Sequence, residues 1–379
     1  MQLIKKHEKE ADIVFYIGIA IHLLLMVVGY GDWSIPFHGR WMQLAFGLFG
    51  IKILMTYYTK AEWGILILLG MIGALSYIAT GDEYVVSVLV MIAAAKNVDM
   101  KRVCKWIFVT ALLATIIIAV LSLFGIGGMA VDIRDYGRGG VEARWCFGFG
   151  HANNIHGTLW YLTALLTYLY FEKMNWKHYA VFTLLNVVLF YFTASKGGLI
   201  AMELVIVGAA LLRYCKELMN AAWIYVIGAL AVIGVCVLSF VSVSIEWLKS
   251  PILMLLDRVF TGRINLAYQH ANIRMWKLLS CAGEFGDPVD NGWVTIFFNY
   301  GYVIGIVFIL LHLYLLWTIW KQRNGVLLVI VVTNIFYTFM ESSYTMNSSY
   351  LLSNLVYVSA MIIMAGRGKK ENEPERLEA

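Results

Sequence analysis

Residues 292–319 read GWVTIFFNYGYVIGIVFILLHLYLLWTI, a run in which no Asp, Glu, Lys or Arg interrupts the chain between Asp290 and Lys321. One helix needs about 20 apolar residues to cross the ~30 Å hydrocarbon layer of a bilayer. This stretch is long enough to cross with residues to spare. The whole chain has the same character: of its 379 residues 61% are hydrophobic and 14% charged, where soluble domains average about 45–50% and about 25%. A mean hydropathy of +0.74 excludes a water-soluble globular protein.

Outward from that run, further apolar stretches bounded by polar breaks fall at 12–30, 41–59, 62–80, 83–95, 103–124, 154–171, 177–193, 197–214, 220–242, 325–341 and 349–365. The expectation is an all-α, polytopic membrane domain over residues 1–365 with about 12 transmembrane helices. The start, MQLIKKHEKEAD, is polar and basic, and the apolar run after it is too long for a signal-peptide core, so it reads as a retained first span. GRGKKENEPERLEA, residues 366–379, reads as a disordered, charged tail.

Basic residues set the orientation. Counted on alternate sides of twelve spans, 18 of the 29 Lys and Arg residues fall on the side of both termini and ten on the other, with Lys52 inside a span. Both termini are therefore expected in the cytoplasm. Eight of the ten outer charges lie in two long loops, about 125–153 and 243–291, and loops of that length in a compact protein are commonly functional. The inner loops are too short for a nucleotide-binding domain, and neither a P-loop nor a dinucleotide fingerprint occurs. An enzyme built this way must draw its activated substrate from the bilayer, and no feature points to nucleic acid.

The first outer loop runs DIRDYGRGGVEARWCFGFGHANNIHG over 132–157. Arg134, Arg138 and Arg144 offer guanidinium forks for phosphate oxygens, although each alone reads better as a solvated charge, the two readings being even only for Arg144, beside Trp145 and near His151. His151, Asn153, Asn154 and His156 put more polar groups at the head of a span than capping requires, and His151 has the ordinary pKa of a proton acceptor. FTASKGGL, 192–199, holds Thr193, Ser195 and Lys196 on a tight turn, either as a snorkelling anchor or as a cation for a diphosphate. The second loop carries Asp257, Arg258, Arg263, His270, Arg274, Lys277, Glu284, Asp287 and Asp290. Leu255, Val259, Leu266 and Ile273, with Trp276, fall near helical spacing, as an amphipathic helix on the membrane surface would place them. Arg263 and Asp290 stand at element ends, where functional groups are more often held.

Inside the spans, Lys52 and Glu203 are functional candidates by default. The bland alternatives are that Lys52 snorkels and that Glu203 orients Lys196 or an arginine. The five cysteines form no CxxC or metal motif. Cys146 and Cys281 are both expected outside, as free thiols in preference to a disulfide.

The order GFGHANNIHG, FTASKGGL, FTGRINLAYQ and DNGWVTIFFNYGYVIG, from about 147 to 305, resembles the O-antigen polymerase and ligase superfamily of bacterial envelope polysaccharides. That family typically shows a Gly-Phe-x-His-Pro-Asn stretch, a Thr-x-Ser-Arg-Gly turn, a Gly-Arg in the large outer loop and a His-Asn or Asp-Asn pair before a late span. Here Ala152 replaces the usual Pro and Lys196 the usual Arg. Asp290 stands where the ligases carry a catalytic His, which tilts the resemblance toward the polymerase branch.

The resemblance implies a metal-independent glycosyltransferase, without cofactor, in the bacterial cytoplasmic membrane. Its donor and acceptor would be undecaprenyl-diphosphate-linked oligosaccharides, and its pathway partners a flippase and a chain-length regulator. Arg263, Asp290 and His151 become the expected catalytic residues. Lys196, Arg144, His270, Arg274, Asn153 and Asn291 become the expected substrate-binding set. A ligase of the same architecture, or a flippase or transporter, remains the alternative.

Overall fold

The computed structural model describes residues 8–30, 33, 35–135, 140–260, 262–271, 277–280, 289–342 and 348–372. Among them the chain forms α1 (Glu8–Tyr30), α2 (His38–Leu54), α3 (Lys60–Thr80), α4 (Tyr84–Ala94), α5 (Met100–Leu123), β1 (Val131–Asp135), β2 (Val141–Trp145), α6 (Ala152–Tyr170), α7 (Trp176–Thr193) and α8 (Lys196–Tyr214). After these come α9 (Ala222–Ser244), α10 (Pro251–Val259), α11 (Arg263–Ala271), α12 (Gly292–Lys321), α13 (Gly325–Met340) and α14 (Leu355–Asn372). Each apolar run read from the sequence is helical. Six helices are long and apolar enough to cross a membrane, namely α1, α3, α5, α8, α9 and α12, while α4, α13 and the apolar part of α14 are shorter.

Short polar residues start these helices by satisfying first-turn N–H groups. Thr59 and Glu62 form a reciprocal capping box on α3, Asp99 caps α5, and Asn324 caps α13. The helices then turn apolar stripes outward. On α3, Ile65, Leu68, Met71, Leu75 and Ile78 are all exposed, three or four residues apart on one face. Such a face is tolerable against lipid and not against water. The molecule is a membrane protein by this reading of its surface and its helix lengths.

The 11-residue α4 spans only about 16 Å. Lys96, just past its end, bonds both carboxylate oxygens of Glu62 at the start of α3, at 2.7 Å. The chain has therefore returned to the level it left, and α3 and α4 are antiparallel. Lys52 lies at this same end of the bundle and does not snorkel. It is 2% exposed, donates to Thr56 Oγ1 at 2.9 Å and lies 3.5 Å from Asp12.

Residues 292–319 do not make one straight span. Gly301 has φ 85° and breaks the helical backbone of α12. On either side the chain folds back on itself, since the Trp293 ring lies 5.4 Å from Phe308 and 5.1 Å from His312. In a continuous helix those positions would stand more than ~20 Å apart along the axis. Residues 292–300 are thus a half-helix that returns along 302–321. Its N-terminus sits about 13 Å down the bundle from the turn. A Cβ on Gly301 would meet the Leu278 carbonyl oxygen at 2.6 Å, so both the backbone angle and the close approach require glycine.

The first long loop is not all loop. β1 and β2 pair antiparallel with Asp132 opposite Arg144 and Arg134 opposite Glu142. This puts four charges on one face, with Asp132 and Arg144 buried and the apolar Ile133 and Val141 exposed. The second loop holds two short helices, α10 and α11, where the sequence suggests one, because the chain turns at Gly262 with φ 85°. Ile252, Leu255 and Val259 form an exposed apolar stripe on α10, as expected of a surface helix. Ile273 and Trp276 lie outside the described residues. Cys146 is a buried free thiol donating to the Met129 carbonyl, and Cys281 is outside the described residues. The expected disordered tail begins as helix, because α14 continues to Asn372; residues 373–379 are outside the description.

Candidate functional site

Arg263 is the first residue of α11, and its placement is built from the chain on both sides. Asp257 Oδ1 accepts from the Asn265 amide at 2.8 Å and its carbonyl from the Gly262 amide at 2.8 Å, which folds the elbow between α10 and α11. Phe260, inside that elbow, packs its ring 4.9 Å from Phe339 on α13. Ile264 and Ala267 are buried. The guanidinium is thereby held over the end of α13.

There it meets two carboxylates. Nη1 pairs with Asp290 Oδ2, and Nη2 donates to Glu341 Oε1 at 2.7 Å. Glu341 Oε1 also accepts from Asn153 Nδ2 at 2.6 Å, and the Asn153 carbonyl accepts from the Tyr337 hydroxyl at 3.4 Å. Side-chain exposure is 15% for Arg263, 35% for Asp290 and 12% for Glu341, so the cluster is recessed but open to solvent. Arg263 Nε is buried and has no partner among the described residues. A bare N–H donor of this kind is costly unless an acceptor arrives.

Several helices begin at this point. Asn153 is in the first turn of α6, and Asp290 and Asn291 precede the half-helix of α12. Lys196 starts α8, whose Gly197 would place a Cβ 3.6 Å from Met340, next to Glu341. With α11, four N-termini carry their partial positive charge toward one recess, where an anion is favoured. Lys196 is exposed and bonds no described residue.

His151 is the N-cap of α6, its Nδ1 accepting from the Asn153 amide at 3.1 Å. That bond requires an unprotonated Nδ1. Burial, with the positive charges of Arg134, Arg144 and Arg263, lowers its pKa from 6.5 to about 4. The imidazole is neutral at physiological pH and a weak proton acceptor.

Of the residues singled out in the sequence, the structure brings together Arg263, Asp290 and Asn153, with His151 and Lys196 alongside. Asn291 is 2% exposed and fully engaged: its Oδ1 caps the half-helix, and its Nδ2 donates to Ser239 at 3.0 Å. Arg144 is clamped by Glu142 through Nε at 2.9 Å and Nη2 at 2.6 Å. His270 ends near the close of α11, with its side chain undescribed, and Arg274 lies outside the described residues. His156 is buried below the site, bonded to Thr193 and Asn186. Glu203 accepts from Asn186 and Thr183 and does not orient Lys196.

Sequence reading passed over Glu341. It is the only charged residue between Arg323 and Arg367, and in a chain this poor in charge that isolation was the available signal. No family model matches the chain, and neither does any curated protein or solved structure.

Proposed function

We propose that the protein polymerises undecaprenyl-diphosphate-linked oligosaccharide repeat units into surface polysaccharide, with the end of the bundle bearing the β-hairpin facing outward from the cytoplasmic membrane. The observation that carries this reading is the convergence of Arg263, with its bare Nε, and four helix N-termini on one recess in a membrane protein. That is the chemistry of a site for a phosphorylated lipid head group. The six helices long and apolar enough to cross a membrane and the four-part motif order from about 147 to 305 support the same assignment.

In this reading Arg263 and Lys196 hold the diphosphate and stabilise the charge that develops as it departs from the anomeric carbon. Asp290 is the nearest charge competing for Arg263, so an incoming phosphate takes over part of its hydrogen bonding. The proton of the attacking hydroxyl passes to one of the acceptors around Arg263: Asp290, His151 or Glu341.

The test is a reaction of purified protein with the lipid-linked repeat unit extracted from the host's own membranes. A ladder of chain lengths supports polymerisation. A single addition to another acceptor indicates a ligase, and no covalent product with movement of the substrate across vesicles indicates transport; either result overturns the proposal.

A further inference from the structure

We infer that Glu341 is the group that removes the proton from the attacking sugar hydroxyl, because its carboxylate is fixed through one oxygen, shared by Arg263 and Asn153, while the other makes no bond to any described residue. The inference rests on the polymerase reading above. Arg263 Nη2 and Asn153 Nδ2 both bond Oε1, at 2.7 and 2.6 Å. Oε2 takes part in no such bond. One oxygen is the anchor and the other is available, which is the arrangement a positioned base needs.

The three acceptors differ in what else they do. His151 spends the lone pair of Nδ1 on the cap of α6, so protonation there would cost the helix its start. Asp290 is the more exposed carboxylate and is paired to Nη1, the side of the guanidinium nearest the half-helix. Glu341 is the less exposed of the two. Burial raises its pKa above the ordinary carboxyl value, outweighing the opposing pull of Arg263 and of the Asn153 hydrogen bond. A raised carboxyl pKa improves the match to the proton it must accept. Among the described residues the charged group that acts on it is Arg263 on α11, which is itself shared with Asp290 before α12.

The step balances without a co-reactant. The hydroxyl proton moves to Glu341 Oε2 as the hydroxyl oxygen bonds the anomeric carbon. The bond from that carbon to the diphosphate oxygen breaks, and its electron pair leaves with the lipid diphosphate. Glu341 then releases its proton to water or to the departing phosphate.

The measurement is the initial rate of chain extension by the full-length protein on the extracted undecaprenyl-diphosphate-linked repeat unit, at saturating and subsaturating substrate, across pH 5 to 9 as roughly the window of a carboxyl or imidazole base. Glu341→Gln retains an oxygen to accept from Arg263 and Asn153. It is expected to lower kcat by about a hundredfold or more with KM changed less than about threefold, and to erase the acid limb of the kcat profile. Glu341→Asp, which withdraws the carboxylate by one methylene, is expected to recover part of the rate and to restore an acid limb. A Glu341→Gln protein that keeps more than about a tenth of wild-type kcat, or keeps the acid limb, overturns the inference while leaving the polymerase reading intact. Should Glu341→Gln fail to fold, the Glu341→Asp profile decides, since an acid limb unmoved from wild type overturns the inference. If wild-type protein makes no ladder at all, the polymerase reading falls first and this inference falls with it.

Discussion

The two ends of the bundle solve the same problem, charge at the border of an apolar body, in opposite ways. At one end Lys96 gives its ammonium to both oxygens of Glu62, and Lys52 is packed against Thr56 and Asp12. Each cation there has its own acid and almost no exposure. At the other end Arg263 is shared between Asp290 and Glu341, and its Nε has no partner among the described residues. A closed pair ties helices together; an open cluster with unmet donors and acceptors is poised for a ligand. The contrast separates structural charge from functional charge where burial alone does not, since Lys96 and Arg144 are as buried as any apolar residue near them.

The largest effect that would sharpen this contrast is at Arg263. Arg263→Ala should reduce chain extension by about a hundredfold or more, the usual cost of removing one donor to developing charge, while the protein accumulates normally in the membrane. Arg263→Lys keeps the charge but loses the fork and should rescue little. Near-normal polymer length from Arg263→Ala, read on a gel of labelled product, breaks the assignment of this end as functional.

Next comes the closed end. Lys96→Met removes the ammonium that both oxygens of the 14%-exposed Glu62 accept and leaves that carboxylate only the Thr59 amide, a loss of about 1–3 kcal/mol. The unfolding midpoint in detergent should drop accordingly, with turnover per folded molecule unchanged. Equal losses of stability and turnover would erase the distinction between the two ends.

Gly301→Ala tests the element that carries Asp290 into the recess. At φ 85° and ψ 177° the backbone lies in a region essentially confined to glycine, costing a residue with a side chain about 1–3 kcal/mol, and the Cβ must also displace the Leu278 carbonyl. Loss of activity together with a modest loss of stability is expected. A protein with full activity and an unchanged midpoint would show that the half-helix tolerates another path.

Much of the helical layout was legible because lipid imposes a plain rule: a long uncharged run must satisfy its own backbone. The apolar runs therefore all become helices, and the scarcity of charge made Arg263, Asp290 and Asn153 visible. Less legible was everything set by close backbone approach. Residues 292–319 read as one span because apolar composition carries no mark of a reversal, which shows only in the packing of Trp293 on Phe308 and His312 and in the backbone at Gly301. The hairpin β1–β2 was hidden for a similar reason, since it buries Asp132 and Arg144 and turns Ile133 and Val141 outward, the reverse of a soluble strand. Glu341 was passed over because it closes an apolar run whose hydrophobicity dominated the reading.

The smallest expected effect concerns His151, whose neutral state keeps a further positive charge out of the open cluster. Its pKa is about 4 in the folded chain and about 6.5 when exposed on unfolding. Between those values the unfolded chain binds a proton that the folded one refuses, so stability is full above about pH 6.5 and declines as pH falls toward 4. His151→Ala should cost about 1 kcal/mol at pH 7.5 through the lost cap and should also remove that acid-side decline. His151→Asn supplies a cap oxygen without titrating, so it should match wild type at pH 7.5 and exceed it at pH 5. Unfolding midpoints at the two pH values decide the matter: if His151→Asn keeps the acid slope of wild type, the imidazole is not the group that refuses the proton, and the low positive charge of the recess must be explained by Asp290 and Glu341 alone.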